Sequence, residues 1–278
     1  FVNINFFAHV IRWHKTMFSI LFSAVSFFTP SARLANGEKI SLIGKGAPVV
    51  FSTGLFDTMP HNIYSDFVSK LKKHMTVVVR EQWSPMDRST LKMISDALAV
   101  DQVGLIAHSS FDPAIIDEHA CKVFLMDPIA FPSWAPGRGF TQSVTKGDID
   151  APIQVAHAAL AYDGETPIPD YLEPEIADSK SPILLYKNVG HVDILDDTWA
   201  DIGTRMPWVP GASPTKTNFT FWQSSNVRGE RAVRNSYRKK LADDIVTFFT
   251  SDTTPGTATL VAPSPPSPNE KRTIVVDV

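Results

Sequence analysis

Ser109 and His191 are the residues of this chain whose settings best suit nucleophilic catalysis. Ser109 closes the apolar run QVGLIAHS (102–109), which reads as a strand, and a short helix is predicted just after it near DPAIIDEH (112–119). A sharp turn between a strand and a helix lifts a serine hydroxyl above a sheet, the geometry of a nucleophile elbow. Its usual form is Gly-x-Ser-x-Gly, because both flanks crowd neighbouring backbone. Here the flanks are Ala107 and Phe111, so a plain helix N-cap by Ser109 or Ser110 is the competing reading. His191 lies in YKNVGHVDILDD (186–197), just past the apolar strand SPILLYKN (181–188). There it is placed to act as the base that activates a serine.

Two further parts are needed. FSTGLFD (51–57) ends an earlier strand in a glycine and a loop. That arrangement suits an oxyanion hole made from the backbone N–H of Leu55 and that of Ser110, the residue after the nucleophile. The acid that orients the histidine is open between Asp127, which ends the strand VFLMD, and Asp163 or Glu165 after the next strand. Asp193, Asp196 and Asp197 follow His191 too closely to reach the far side of its ring, and fit loop bracing or helix capping instead. The order serine, acid, histidine is similar to that of α/β-hydrolases.

The elements that must position these residues alternate in type. Strands are predicted at 39–44, 47–54, 75–81, 102–109, 121–127, 151–159 and 181–188. Helices are predicted at 62–74, at 87–98 with Ser89 as cap, near 112–119, and at 231–251. Apolar strands alternating with helices imply a mostly parallel sheet covered on both faces, where ligands bind beyond the carboxyl ends of the strands. The fold class is therefore α/β, of the α/β-hydrolase kind.

A family resemblance follows from these segments. YKNVGHVDILDD is similar to the Gly-His-x-Asp-x-Leu-Asp-Asp segment of chlorophyllases, α/β-hydrolases that cleave phytol from chlorophyll. FLMDPIAFPS (124–133) resembles the family's Asp-Pro-Val segment, and APIQVAHAALA (151–161) matches its next strand in position. Residues 40–250 fit in order and spacing. The resemblance implies Ser109 as nucleophile, Asp127 as acid and His191 as base. The chain departs from the family's Gly-His-Ser-Arg-Gly-Gly: His108 and Ser109 are kept, while Ala107, Ser110, Phe111 and Asp112 replace the rest, a degenerate elbow. The implied function is a serine ester hydrolase acting on the phytyl ester of chlorophyll or a related lipophilic ester, without cofactor. Phe56, Phe111, Phe131 and Trp134, with Trp199 nearby, are candidates to line the substrate site; for each one, core packing is the competing reading. The alternatives are a catalytically impaired pigment- or lipid-binding relative, and a general carboxylesterase or lipase.

The bulk properties agree with one sizeable globular domain. The chain has 278 residues, a net charge of −3 and 44% hydrophobic residues, so nucleic acid is not an expected partner. The single cysteine, Cys121, excludes a disulfide framework or a multi-cysteine metal site, and its strand-entrance setting predicts a core residue. No His/Asp pair has a helical metal-ligand spacing in a convincing context, so no metal is expected. Residues 1–37 contain no acid and read as a targeting or leader segment, with Met17 a candidate start. AVSFFTP within it resembles plastid-targeting cleavage regions of algae with secondary plastids; the implied location is a plastid, with secretion or an endomembrane as the alternative. The hydrolase domain is expected at 38–252. A Pro/Ser/Thr-rich disordered tail is expected at 253–278. Peripheral membrane association fits a lipophilic substrate, and oligomeric state is not legible.

Overall fold

A computed structural model describes residues 30–57, 59–81, 86–87, 89–109, 115–128, 151–159, 183–205, 231–251 and 273–278; the side chains of 55–56, 202–205 and 273 lie outside that description. The chain divides into Phe1–Pro30 and Ser31–Val278, and everything below concerns the second unit.

Among the described residues nine strands form one sheet: β1 (Ser31–Arg33), β2 (Lys39–Gly44), β3 (Pro48–Ser52), β4 (Thr76–Arg80), β5 (Val103–His108), β6 (Ala120–Met126), β7 (Ile153–Ala158), β8 (Ile183–Tyr186) and β9 (Thr273–Val276). Their spatial order is β1-β2-β4-β3-β5-β6-β7-β8-β9. β2 runs antiparallel to β1 and β4, and every later pairing is parallel. The helices are α1 (Gly54–Asp57), α2 (Ser65–Leu71), α3 (Thr90–Leu98), α4 (Asp197–Arg205) and α5 (Arg231–Thr250). Among the described residues, no helix is long and apolar enough to cross a membrane.

The two-residue period of the strands explains why the sheet needs cover on both sides. Val49, Phe51, Val77, Val79 and Ile106 face one core, with Phe67 and Leu71 of α2 and Leu241, Ile245 and Phe248 of α5. Val50, Val78, Leu105 and Ala107 face the other, with Leu91 and Ile94 of α3. The mostly parallel, doubly covered sheet read from the sequence is what the chain forms.

Several details differ from the sequence reading. The first strand begins at Ser31 and Leu34 is buried, so the fold starts inside the segment read as a leader to residue 37. The segment read as a tail (253–278) ends in β9, where β-branched Thr-Ile-Val-Val pairs in parallel with β8; residues 252–272 lie outside the described residues. Cys121 is exposed rather than in the core: the β5–β6 register shifts there, Val103 pairing with Ala120 and Gly104 with Lys122, so Cys121 is the extra residue and points away from the packed face. Ser89 makes no side-chain cap to α3; the Asp87 carboxylate does related work, accepting from the Ser89 amide at 2.9 Å and the Thr90 hydroxyl at 3.0 Å. Of the helix predicted near 112–119, residues 112–114 lie outside the described residues and 116–119 are not helical.

Candidate active site

The parallel register sets the carboxyl ends of the central strands level. Ser52 of β3 pairs with Ala107 of β5, His108 with Met126 of β6, and Met126 with Ala156 of β7. The residues just past those ends therefore meet at one rim of the sheet.

Ser109 and Asp127 leave their strands in the same way. The Ser109 amide donates to the Met126 carbonyl (2.9 Å), and the Asp127 amide donates to the Ala156 carbonyl (2.8 Å). Each is one more rung of the parallel ladder. Each residue then turns into the left-handed region, with φ 65° at Ser109 and 45° at Asp127. Non-glycine residues pay roughly 1–2 kcal/mol for that conformation, and such outliers gather at functional sites. For Ser109 it is the turn that an elbow requires. Its hydroxyl oxygen is buried and has no hydrogen-bond partner among the described residues, although buried polar groups are nearly always paired.

His191 enters from β8. It opens a 3-10 turn, His191–Ile194, held because the Gly190 amide donates to the Asp193 carboxylate at 2.7 Å. Asp193 also pairs with Arg234 of α5 at 3.0 Å. Asp196 accepts the Asp66 amide at the start of α2 (2.8 Å), and Asp197 pairs with Arg238 (2.9 Å). The acidic knot after the histidine thus braces its loop, as its spacing predicts.

Nδ1 of His191 lies 3.6 Å from Oδ2 of Asp127, and Nδ1 of His157 lies 3.6 Å from Oδ1. Both separations exceed a tight hydrogen bond, and catalytic contacts in ligand-free sites are often long. The Ala158 amide, at 2.7 Å, fixes Oδ1 of the carboxylate. Burial alone would push the Asp127 pKa up; the bonds from His157 and His191 outweigh it and hold the acid well below the ordinary carboxylate range. His157 escaped the sequence reading, although a histidine in the mostly apolar strand IQVAHA was a visible signal.

The loop after β3 forms the other side. α1 begins at Gly54, and a Cβ there would sit 3.1 Å from the Tyr64 hydroxyl, 3.5 Å from Nδ1 of His108 and 3.6 Å from Cβ of Ser109. The loop after β3 therefore lies against the serine. Leu55 N–H belongs to the first turn of α1, where amides have no partner within the helix. A buried ionic cluster holds this loop. Arg80 clasps Glu38 through two nitrogens (2.6 and 3.1 Å) and Asp57 through a third (2.7 Å). Asp57 in turn accepts the Thr53 amide at 2.9 Å. Burial pushes the Asp57 pKa up to about 6, against the pull of Arg80 and Thr53.

Ser110, Phe111, Phe131, Trp134, Asp163 and Glu165 lie outside the described residues, as does the side chain of Phe56. Trp199 packs against the core, the competing reading of that residue. The possible metal ligands at the rim, His108, Asp127 and His191, have ligand atoms within 4.8 Å of one another. They fit a metal poorly. The His108 and His191 rings stack at 4.5 Å and 21°, so their in-plane lone pairs do not converge. Both nitrogens of His108 have protein partners, Tyr64 at 2.9 Å and the His191 carbonyl at 3.3 Å.

A mixed sheet with this strand order, and a strained serine one residue past its fifth strand, defines the α/β-hydrolase fold. No family model matches the chain, and no curated protein matches it. Solved structures similar in part include an α/β-hydrolase fold protein from Nakamurella multipartita (14% identity, 36% of this chain and 41% of that one, TM-score 0.31). Another is an epoxide hydrolase from Vigna radiata (17% identity, 39% and 42%, TM-score 0.27). The chain spans about two-fifths of the length of each, and likeness at that level says nothing about the reaction.

Proposed function

We propose that the chain is a serine ester hydrolase acting on a lipophilic ester, with the phytyl ester of chlorophyll as the leading candidate. The observation that carries the reaction class is Ser109, buried and left-handed at the end of β5, on the same rim as the Asp127–His191 pair. The similarity of residues 186–197 to the chlorophyllase histidine segment supports the substrate class.

Nδ1–H of His191 faces Asp127, so Nε2 is the nitrogen that takes the Ser109 proton. Oγ then bonds to the ester carbonyl carbon, and its oxygen becomes an oxyanion. The Leu55 and Ser110 amides stabilise that charge. Asp127 holds the histidine in the right tautomer and stabilises the imidazolium. The proton passes from His191 to the departing alcohol oxygen as its bond to carbon breaks. Water, deprotonated by His191, then attacks the acyl-serine, and the acid leaves with Ser109 restored. Phe111 in place of the second elbow glycine supports one other reading, a ligand-binding protein without turnover.

Chlorophyll a and p-nitrophenyl butyrate separate these outcomes. The proposal expects both to be cleaved by the wild type and neither by Ser109→Ala. Cleavage of the small ester alone indicates a general esterase. Turnover of neither ester removes the enzyme reading, and activity surviving in Ser109→Ala removes Ser109 from its role.

A further inference from the structure

Tyr64 and His108 are buried polar side chains that the chemistry above does not use, at 1% and 3% exposure. They connect the two halves of the site. The Gly54 amide donates to the Tyr64 hydroxyl oxygen at 3.1 Å, that hydroxyl lies 2.9 Å from Nδ1 of His108, and Nε2 of His108 lies 3.3 Å from the His191 carbonyl oxygen.

We propose that Tyr64 and His108 are positioning residues, forming a one-way hydrogen-bond chain that ties the oxyanion loop to the catalytic histidine. This rests on the hydrolase reading of Ser109 and His191. The direction of the chain follows from its end. A carbonyl can only accept, so Nε2 of His108 carries the hydrogen. Nδ1 of the neutral ring then offers its lone pair, the Tyr64 hydroxyl donates to it, and the Tyr64 oxygen accepts the Gly54 amide. Both groups stay neutral: burial, and then the neighbouring His191, push the His108 pKa down to about 3, while burial raises that of Tyr64.

The position of the chain makes it more than core filling. Two apolar rings would fill the same space without burying three polar contacts. Instead its two ends lie on the backbones of Gly54 and His191, and His108 directly precedes the nucleophile. The His108 ring also stacks on that of His191. A neutral face accommodates the imidazolium formed during turnover, whereas a second cation there would repel it. Tyr64 is itself fixed edge-on by Phe51, with ring centroids 5.1 Å apart. The chain thus holds donor and base in one register while the transition state forms, which is where a small misplacement costs most.

The test uses the full chain and p-nitrophenyl butyrate, with Tyr64→Phe, His108→Phe and the double variant. Each single variant is expected to lower kcat about 10- to 100-fold with KM little changed. The double variant should be no worse than the weaker single, since both break one chain. Losses that multiply, a change confined to KM, or an unchanged kcat would each overturn the proposal. Nitrogen NMR of the His108 ring needs neither substrate nor the His108 variant. Expected is one Nε2-protonated tautomer from about pH 5 to 9, with an Nδ1 signal that moves in Tyr64→Phe. A titrating His108, or an Nδ1 signal indifferent to Tyr64→Phe, overturns the chain. If the wild type cleaves no ester, the hydrolase reading falls, and these signals still decide whether the chain exists.

Discussion

At the scale of single residues, Asp127 does three things with two oxygens. Oδ1 accepts the Ala158 amide and faces His157, and Oδ2 faces His191. Asp127→Asn keeps the shape and removes the charge, so kcat should fall on the order of 10³- to 10⁴-fold while the fold persists, as steady-state kinetics and circular dichroism will show. The depressed pKa also has a stability consequence. Folding favours the ionised form, so the contribution of Asp127 is complete above the ordinary value of 3.8 and is lost as pH falls below it. Melts of wild type and Asp127→Asn should accordingly converge as pH drops from about 5 towards 2; parallel curves would contradict this. Ser109 and His191 stood out in the sequence because each ends or follows an apolar strand, whereas strand position left the acid open between Asp127 and Asp163 or Glu165, and only the family resemblance favoured Asp127. Tyr64 was not: it lies 44 positions from its partner His108, within a stretch that reads only as an amphipathic helix.

At the scale of elements, the short helix α1, assigned the oxyanion loop in the proposed mechanism, depends on partners from elsewhere in the chain. Its last residue, Asp57, is left-handed at φ 65° and is gripped by Arg80 of β4, which Glu38 grips in turn. None of this was legible beforehand, since the three residues come from separate segments and share no motif. The raised pKa of Asp57, about 6 against 3.8, means that folding favours the protonated acid. Its contribution to stability is greatest below about pH 4 and is lost as pH rises through 6. Relative to Asp57→Asn, which does not titrate, the wild-type melting temperature should therefore fall between pH 4 and 7. A gap independent of pH would show that Asp57 is not the titrating group.

At the scale of the whole molecule, α5 locks the histidine loop to the core. Arg234 reaches Asp193 (3.0 Å) and Asp201 (2.5 Å), and Arg238 donates to the Leu195 carbonyl (2.5 Å). Asp193 is fully buried, and stripping a buried charge of its partner costs about 3–5 kcal/mol. Arg234→Met should destabilise the domain by about that much in a urea titration and lower kcat by loosening His191; a change within about 0.5 kcal/mol, ordinary for a surface site, would contradict the lock. The sequence showed α5 as a terminal helix and the acids as braces, but not that one grips the other, because 41 residues separate Asp193 from Arg234. Alternation of apolar strands and helices made the sheet legible, whereas β1 and β9 are short and fall inside segments whose composition read as a leader and a tail. The most direct test of the central claim is labelling of the folded chain with an alkyl fluorophosphonate, read by peptide mass. A single adduct on Ser109, absent from Ser109→Ala and slowed in Asp127→Asn, is predicted. A folded chain left unlabelled, or labelled at another residue, would contradict it.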